Sequence, residues 1–144
     1  MILAPLIGGL LGTLAMTLFL LLPRWLNRGK VDVIRAVGAL FTGKTENAYG
    51  LGLVIHFVSG VFFAYAYYFL IQLAGFPLTW IMFLLAGAIH GVIAMLLVGI
   101  VIVEHHSIAR YHDRGPMTGV IQIIAHMIFG AVTGLVVQAF QAAA

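Results

Sequence analysis

The chain has 144 residues, of which 63% are hydrophobic and 8% charged, and its mean hydropathy is +1.15. A soluble domain carries roughly a quarter charged residues, so this composition excludes one and indicates an integral membrane protein. The formal charge of +3 rests on seven Lys and Arg spread between apolar runs, which argues against a nucleic-acid surface and leaves anionic lipid headgroups as the counter-charge.

The first run, MILAPLIGGLLGTLAMTLFLLLPRW, has no basic segment before it and no small-x-small cleavage site after it. It is expected to be a retained span and not a cleaved signal peptide. A hydrocarbon core of about 30 Å needs about 20 apolar residues in a helix, and four runs meet that length. They cover residues 2–22, 49–73, 78–103 and 117–138. After the first comes VDVIRAVGALF, where Val31, Ile34, Val37 or Gly38, and Phe41 recur at three- and four-residue spacing. That pattern suits an amphipathic helix over about residues 31–42, either lying on the headgroups or folded under the bundle. Between the second and third runs, Ala74 to Pro77 forms a tight Gly and Pro turn that should make those spans antiparallel neighbours. The expected fold is all-α: one integral membrane domain, 1–144, built as a four-helix transmembrane bundle with a short interfacial helix between spans 1 and 2.

Charge placement sets the orientation. Arg24, Arg28, Lys30, Arg35, Lys44, Arg110 and Arg114 lie in the first and third connections, as do Asp32, Glu46, Glu104 and Asp113. Four spans put those two connections on one side, and the positive-inside bias makes it cytoplasmic, with both termini outside. Trp25 and Trp80 then fall near opposite interfaces.

A weak internal repeat runs through the spans. Gly8-x-x-x-Gly12-x-x-Ala15-Met16 in the first matches Gly87-x-x-x-Gly91-x-x-Ala94-Met95 in the third. Likewise His56-x-x-x-Gly60-x-x-x-Ala64 in the second matches His126-x-x-x-Gly130-x-x-x-Gly134 in the fourth. Two origins fit: duplication of a helix pair into parallel repeats, or independent use of the small-x-x-x-small step that lets membrane helices approach closely.

Three histidines, His56, His90 and His126, lie inside spans. At about 1.5 Å per residue each falls within roughly 8 Å of the bilayer centre, a depth where ionisable groups are costly and turn toward the protein interior. His56 shares a helix face with Gly60, Phe63 and Tyr67, His126 with Gly130, Thr133 and Gly134, and His90 with Gly87, Gly91 and Ala94. Converging imidazoles could bind a transition metal, a haem or the magnesium of a chlorin, with small residues leaving room for a flat macrocycle. The structural alternative is that each histidine bonds a neighbouring helix through Thr13, Thr17, Ser59 or Thr133.

A second cluster, Glu104, His105, His106, His112 and Asp113 with Tyr111 among them, closes the third span. It has ligand types enough for a metal, but a solvated juxtamembrane loop is the better reading, because the other polar residues there are juxtamembrane charges. No cysteine is present, so disulfides and thiolate sites are ruled out. No Asp or Glu lies within a span, and no nucleotide-binding glycine loop, nucleophile elbow or H-E-x-x-H helix occurs. These absences argue against an enzyme.

Gly12-Thr13-x-x-Met16-Thr17, the amphipathic segment after it, His56-Phe57-x-x-Gly60 and His126-x-x-x-Gly130-x-x-x-Gly134 together resemble a family of small four-span prokaryotic membrane proteins of uncharacterised function. The likeness covers most of the chain. It implies a four-helix bundle in a bacterial or archaeal inner membrane and supplies no activity. His90 and the segment from Glu104 to Asp113 have no counterpart in the motifs that carry it.

Three functions fit these features. The first is a non-catalytic accessory subunit of a larger respiratory or photosynthetic membrane complex, because nearly all of the mass is apolar span. The second is a self-sufficient haem, chlorin or metal carrier using His56, His90 and His126. The third is a small channel or metal transporter.

The orientation is directly testable because the chain has no cysteine of its own. Lys44→Cys should resist a membrane-impermeant thiol reagent in intact cells, and a cysteine appended after Ala144 should label. The reverse pattern would invert the topology.

Overall fold

The structure is a computed structural model that describes residues 2–25, 32–112 and 117–143. The side chains of Arg24, Trp25 and Arg110, and residues Arg28, Lys30, Val31, Asp113 and Arg114, lie outside that description. It is all-helical: α1 (Leu3–Trp25), α2 (Val33–Thr42), α3 (Ala48–Leu73), α4 (Trp80–Val98) continued by a π-helical turn over Gly99–Glu104, a 3₁₀ turn at Ala109–Tyr111, and α5 (Met117–Ala142). Four of these helices are long and apolar enough to cross a membrane: Leu3–Leu22, Ala48–Leu73, Trp80–Ile102 and Met117–Ala142. The runs read from the sequence are therefore recovered, with the last one extended toward the C-terminus.

Local chemistry sets several ends. Pro5 lies in the first turn of α1, where its missing N–H removes no helix bond. Asp32 caps α2 by accepting from the Arg35 N–H at 3.0 Å. The helix stops at Gly43, whose φ of 66° is cheap only for glycine and whose N–H bonds Ala39 O at 2.9 Å. Gly75, with φ 74°, turns the chain out of α3 in the same way.

Glycines dictate the packing, because lipid tails are as apolar as leucine and helices associate in a bilayer by close van der Waals approach. A Cβ on Gly87 would run into His126 O, and one on Gly130 into Phe83 O, so α4 and α5 meet backbone to backbone. A Cβ on Gly8 would stand 3.0 Å from Thr133 O, which joins α1 to α5. One on Gly9 would stand 2.9 Å from Val61 Cα, and one on Gly60 would overlap Thr13 Oγ1, which joins α1 to α3. The bundle thus runs α3, α1, α5, α4 through glycine contacts.

The fourth seam differs. Although α3 and α4 are joined by a tight turn, they are not the close neighbours that the turn suggested. Their main bridge is made by the long side chains Phe63, Tyr67 and His90. The two repeated segments also fail to share a contact register. Gly60 meets Thr13, whereas Gly130 meets Phe83 and Gly87, which the sequence match would pair with Ala4 and Gly8. Here the recurring motif acts as a packing device.

Helix α2 is folded under the bundle. Gly38 and Gly52 let it cross α3 in backbone contact, and Ile34, Ala36 and Ala39 are buried, while Leu40 and Phe41 remain exposed on the outer side. His106 donates from Nε2 to Ala36 O at 3.1 Å. The described parts of the first and third connections therefore share one end of the molecule, as four spans require.

The close approaches predict a contrast of sign between two glycines. Gly130→Ala forces α4 off α5 and should lower stability by about 1–3 kcal/mol. Gly50→Ala, with open space around it, should be neutral or stabilising by up to about 1 kcal/mol. Thermal unfolding of the two variants in one detergent measures both.

Candidate functional site

The three intramembrane histidines come from α3, α4 and α5 and line one cavity of about 80 Å³ together with Thr13, Met16, Ser59, Gly60, Phe63 and Phe129. The convergence expected from their depth and helix faces is present. At roughly 30 Å³ per water, the space equals two or three water molecules. That is below the roughly 300–1,000 Å³ of a pocket for a drug-sized ligand. The small residues once expected to make room for a macrocycle, Gly87, Gly91, Gly130 and Gly134, are instead filled by the opposing helix.

Each imidazole is held differently. His126 is buried, and its Nδ1 lies 2.8 Å from Gln122 O on its own helix. A carbonyl can only accept, so Nδ1 carries the proton and Nε2 keeps a lone pair. His90 Nδ1 lies 2.8 Å from the hydroxyl of buried Tyr67. A buried phenol is the stronger donor of the two, so Tyr67 O–H is assigned as the donor and Nε2 as the protonated nitrogen of His90. The His90 ring also stands 4.0 Å from the Phe63 ring and 4.5 Å from His126, centroid to centroid. His56 is the exception: its Nε2 is buried and has no hydrogen-bond partner among the described residues.

The hydroxyls offered as alternative histidine partners are bonded to backbone instead. Thr13 donates to Gly9 O at 2.7 Å, Thr17 to Thr13 O at 2.7 Å, and Ser59 to Ile55 O. Thr133 donates across to Gly8 O at 3.1 Å. Sequence reasoning missed Tyr67 as the partner of His90, and Met16 and Phe129 as cavity walls. The signal was available, since Met16 follows Thr13 by three residues and Phe129 follows His126 by three, placing each on the same helix face.

The second cluster is built as a main-chain latch. His106 is buried, accepts from the Ile108 N–H at Nδ1 (3.0 Å) and donates from Nε2 to Ala36 O. His112 Nε2 donates to His106 O at 2.7 Å, and His105 Nδ1 to Ile100 O at 2.9 Å. Tyr111 stacks edge-on against His106 at 4.7 Å. Glu104 is exposed, and Asp113 lies outside the described residues. Among the described residues no three His, Asp or Glu side chains are grouped so as to share a metal ion, either here or in the cavity.

A shallow apolar groove of about 470 Å³ runs along the outer face of α3, lined by Val54, Ile55, Val58, Ser59, Phe62 and Phe63. Ser59 and Phe63 border both groove and cavity.

The chain belongs to the family of unknown function DUF6789, whose model matches residues 1–144. No curated protein and no solved structure matches it. Family membership agrees with the expectation of a family of uncharacterised function and supplies no activity.

Because Tyr67 and His90 satisfy each other in a low-dielectric interior, removing one strands the other. Tyr67→Phe should destabilise the protein by about 1–3 kcal/mol. A double-mutant cycle with His90→Phe should return a coupling energy of about 0.6–1.7 kcal/mol, the range found between membrane helices. Unfolding in mixed micelles reads all four corners of the cycle.

Proposed function

We propose that this is a non-catalytic, multi-pass membrane protein that binds a transition metal ion in the histidine-lined cavity between its spans. The observation that carries the reading is the buried Nε2 of His56, without a hydrogen-bond partner among the described residues, on a side chain that lines the same small cavity as His126, whose Nε2 keeps a lone pair. A buried polar atom without a partner costs about 1–3 kcal/mol, which ligation would recover. The bond from His126 Nδ1–H to a backbone carbonyl is the outer-shell contact that commonly orients a metal-binding imidazole. The cavity volume supports an ion in preference to a haem or chlorin.

A second reading, an accessory subunit of a larger respiratory or photosynthetic membrane complex, is favoured by the outer face of α3. There Val54, Val58, Phe62 and Phe69 are exposed around the groove, a wide apolar surface that another membrane subunit could cover. Inner-membrane placement with both termini outside is part of either proposal and rests on the charge pattern.

Protein extracted from its native membrane in mild detergent should retain about one transition metal ion per chain, measured by elemental analysis. A His56→Ala, His126→Ala double variant should lose it. A metal-free wild-type preparation would overturn the reading, and native-size analysis of the same sample would reveal a larger complex.

A further inference from the structure

We infer that the ion is monovalent copper, held by Nε2 of His56, Nε2 of His126 and the thioether of Met16. This assignment rests on the metal-site reading above and adds the identity and charge of the ion.

The ligand set follows from which atoms are left over. His90 Nδ1 is engaged by Tyr67, and its Nε2 carries the proton, so His90 walls the cavity without ligating. The hydroxyls of Thr13 and Ser59 are bonded to backbone carbonyls. Gly60 offers no side chain, and Phe63 and Phe129 offer ring surface. Two imidazole nitrogens and one sulfur remain, the sulfur on Met16, which is 6% exposed.

Charge then selects the ion. All three ligands are neutral, the chain has no cysteine, and no Asp or Glu lies within the spans, so nothing at this depth offsets the charge of a bound cation. The Born cost of a charge in a low-dielectric medium grows with its square, so a monovalent ion pays about a quarter of the divalent penalty. Thioether and imidazole together suit soft Cu(I), whereas Mg²⁺, Ca²⁺ and Mn²⁺ need the oxygen ligands that this cavity does not present. A three-coordinate ion also needs no retained water shell, which suits a volume of about 80 Å³. The rings of Phe63 and Phe129 add π faces favourable to a desolvated cation. Binding involves no electron transfer when the ion arrives already reduced.

The test uses the full chain in detergent under anaerobic, reducing conditions, with Cu(I) supplied as its coloured bicinchoninate complex and Zn(II) titrated in parallel. One Cu(I) per chain should transfer to the protein, with X-ray absorption reporting a sulfur neighbour. Met16→Leu, close in volume and apolar, should weaken Cu(I) by about tenfold or more and erase the sulfur signal. Cu(I) affinity unchanged in Met16→Leu, or Zn(II) bound more tightly than Cu(I) through His56 and His126, would overturn the copper assignment and leave the metal site standing. Failure of both ions to bind wild-type protein would overturn both. Size-exclusion profiles matching wild type show that each variant is folded.

Discussion

Close backbone approach through glycine is the constraint on which this structure depends. In hydrocarbon no hydrophobic force presses one helix on another, so contact area must come from main chains brought within van der Waals distance. The α4 and α5 pair shows the extreme case, where Gly87 and Gly130 admit carbonyl oxygens into the space of a missing Cβ. Helix α1 does this on two sides, with Gly8 and Gly12 toward α5 and Gly9 toward α3. Three seams are therefore closed by absence of side chain. The fourth, between α3 and α4, is held apart by presence of side chain, and the cavity there is lined by buried His126 and partly buried His56 and His90.

This division explains why the histidines share a cavity without filling it. Phe63, Tyr67 and His90 are too large to let α3 and α4 meet as the other helices do, and they interlock instead. Beside them lies a void whose polar lining would be costly in hydrocarbon unless occupied. The shared wall of Ser59 and Phe63 separates that void from the outer groove of α3.

Much of this was legible in the sequence. Span number and limits followed from run length, helix α2 from the spacing of Ile34, Val37 and Phe41, and the shared end of two connections from the number of spans. The convergence of His56, His90 and His126 followed from depth and helix face. What remained illegible depended on relative distances. The turn at Ala74 to Pro77 gives chain adjacency, but it says nothing of whether Gly-rich faces of α3 and α4 point elsewhere, and they do. A motif match between His56-x-x-x-Gly60 and His126-x-x-x-Gly130 cannot reveal that the two meet different registers. Nor can composition tell whether His106 and His112 face water or seek main-chain carbonyls, since that choice depends on α2 arriving beneath them.

The arrival of α2 also bears on the cavity. Helix α4 has little direct hold on α3, yet its C-terminal end passes through the π-helical turn into the segment where His106 bonds Ala36 O on α2. Helix α2 in turn crosses α3 in backbone contact at Gly38 and Gly52. The spacing of α3 and α4 is thus fixed at one end by the turn after α3, midway by the Tyr67–His90 pair, and at the other end by α2 acting as a strut. A gap braced at three levels keeps its width without a ligand, so the imidazoles of His56 and His126 are positioned before anything binds. Preorganisation of this kind lowers the ordering cost of binding, which matters most in a site whose neutral ligands contribute no net charge of their own.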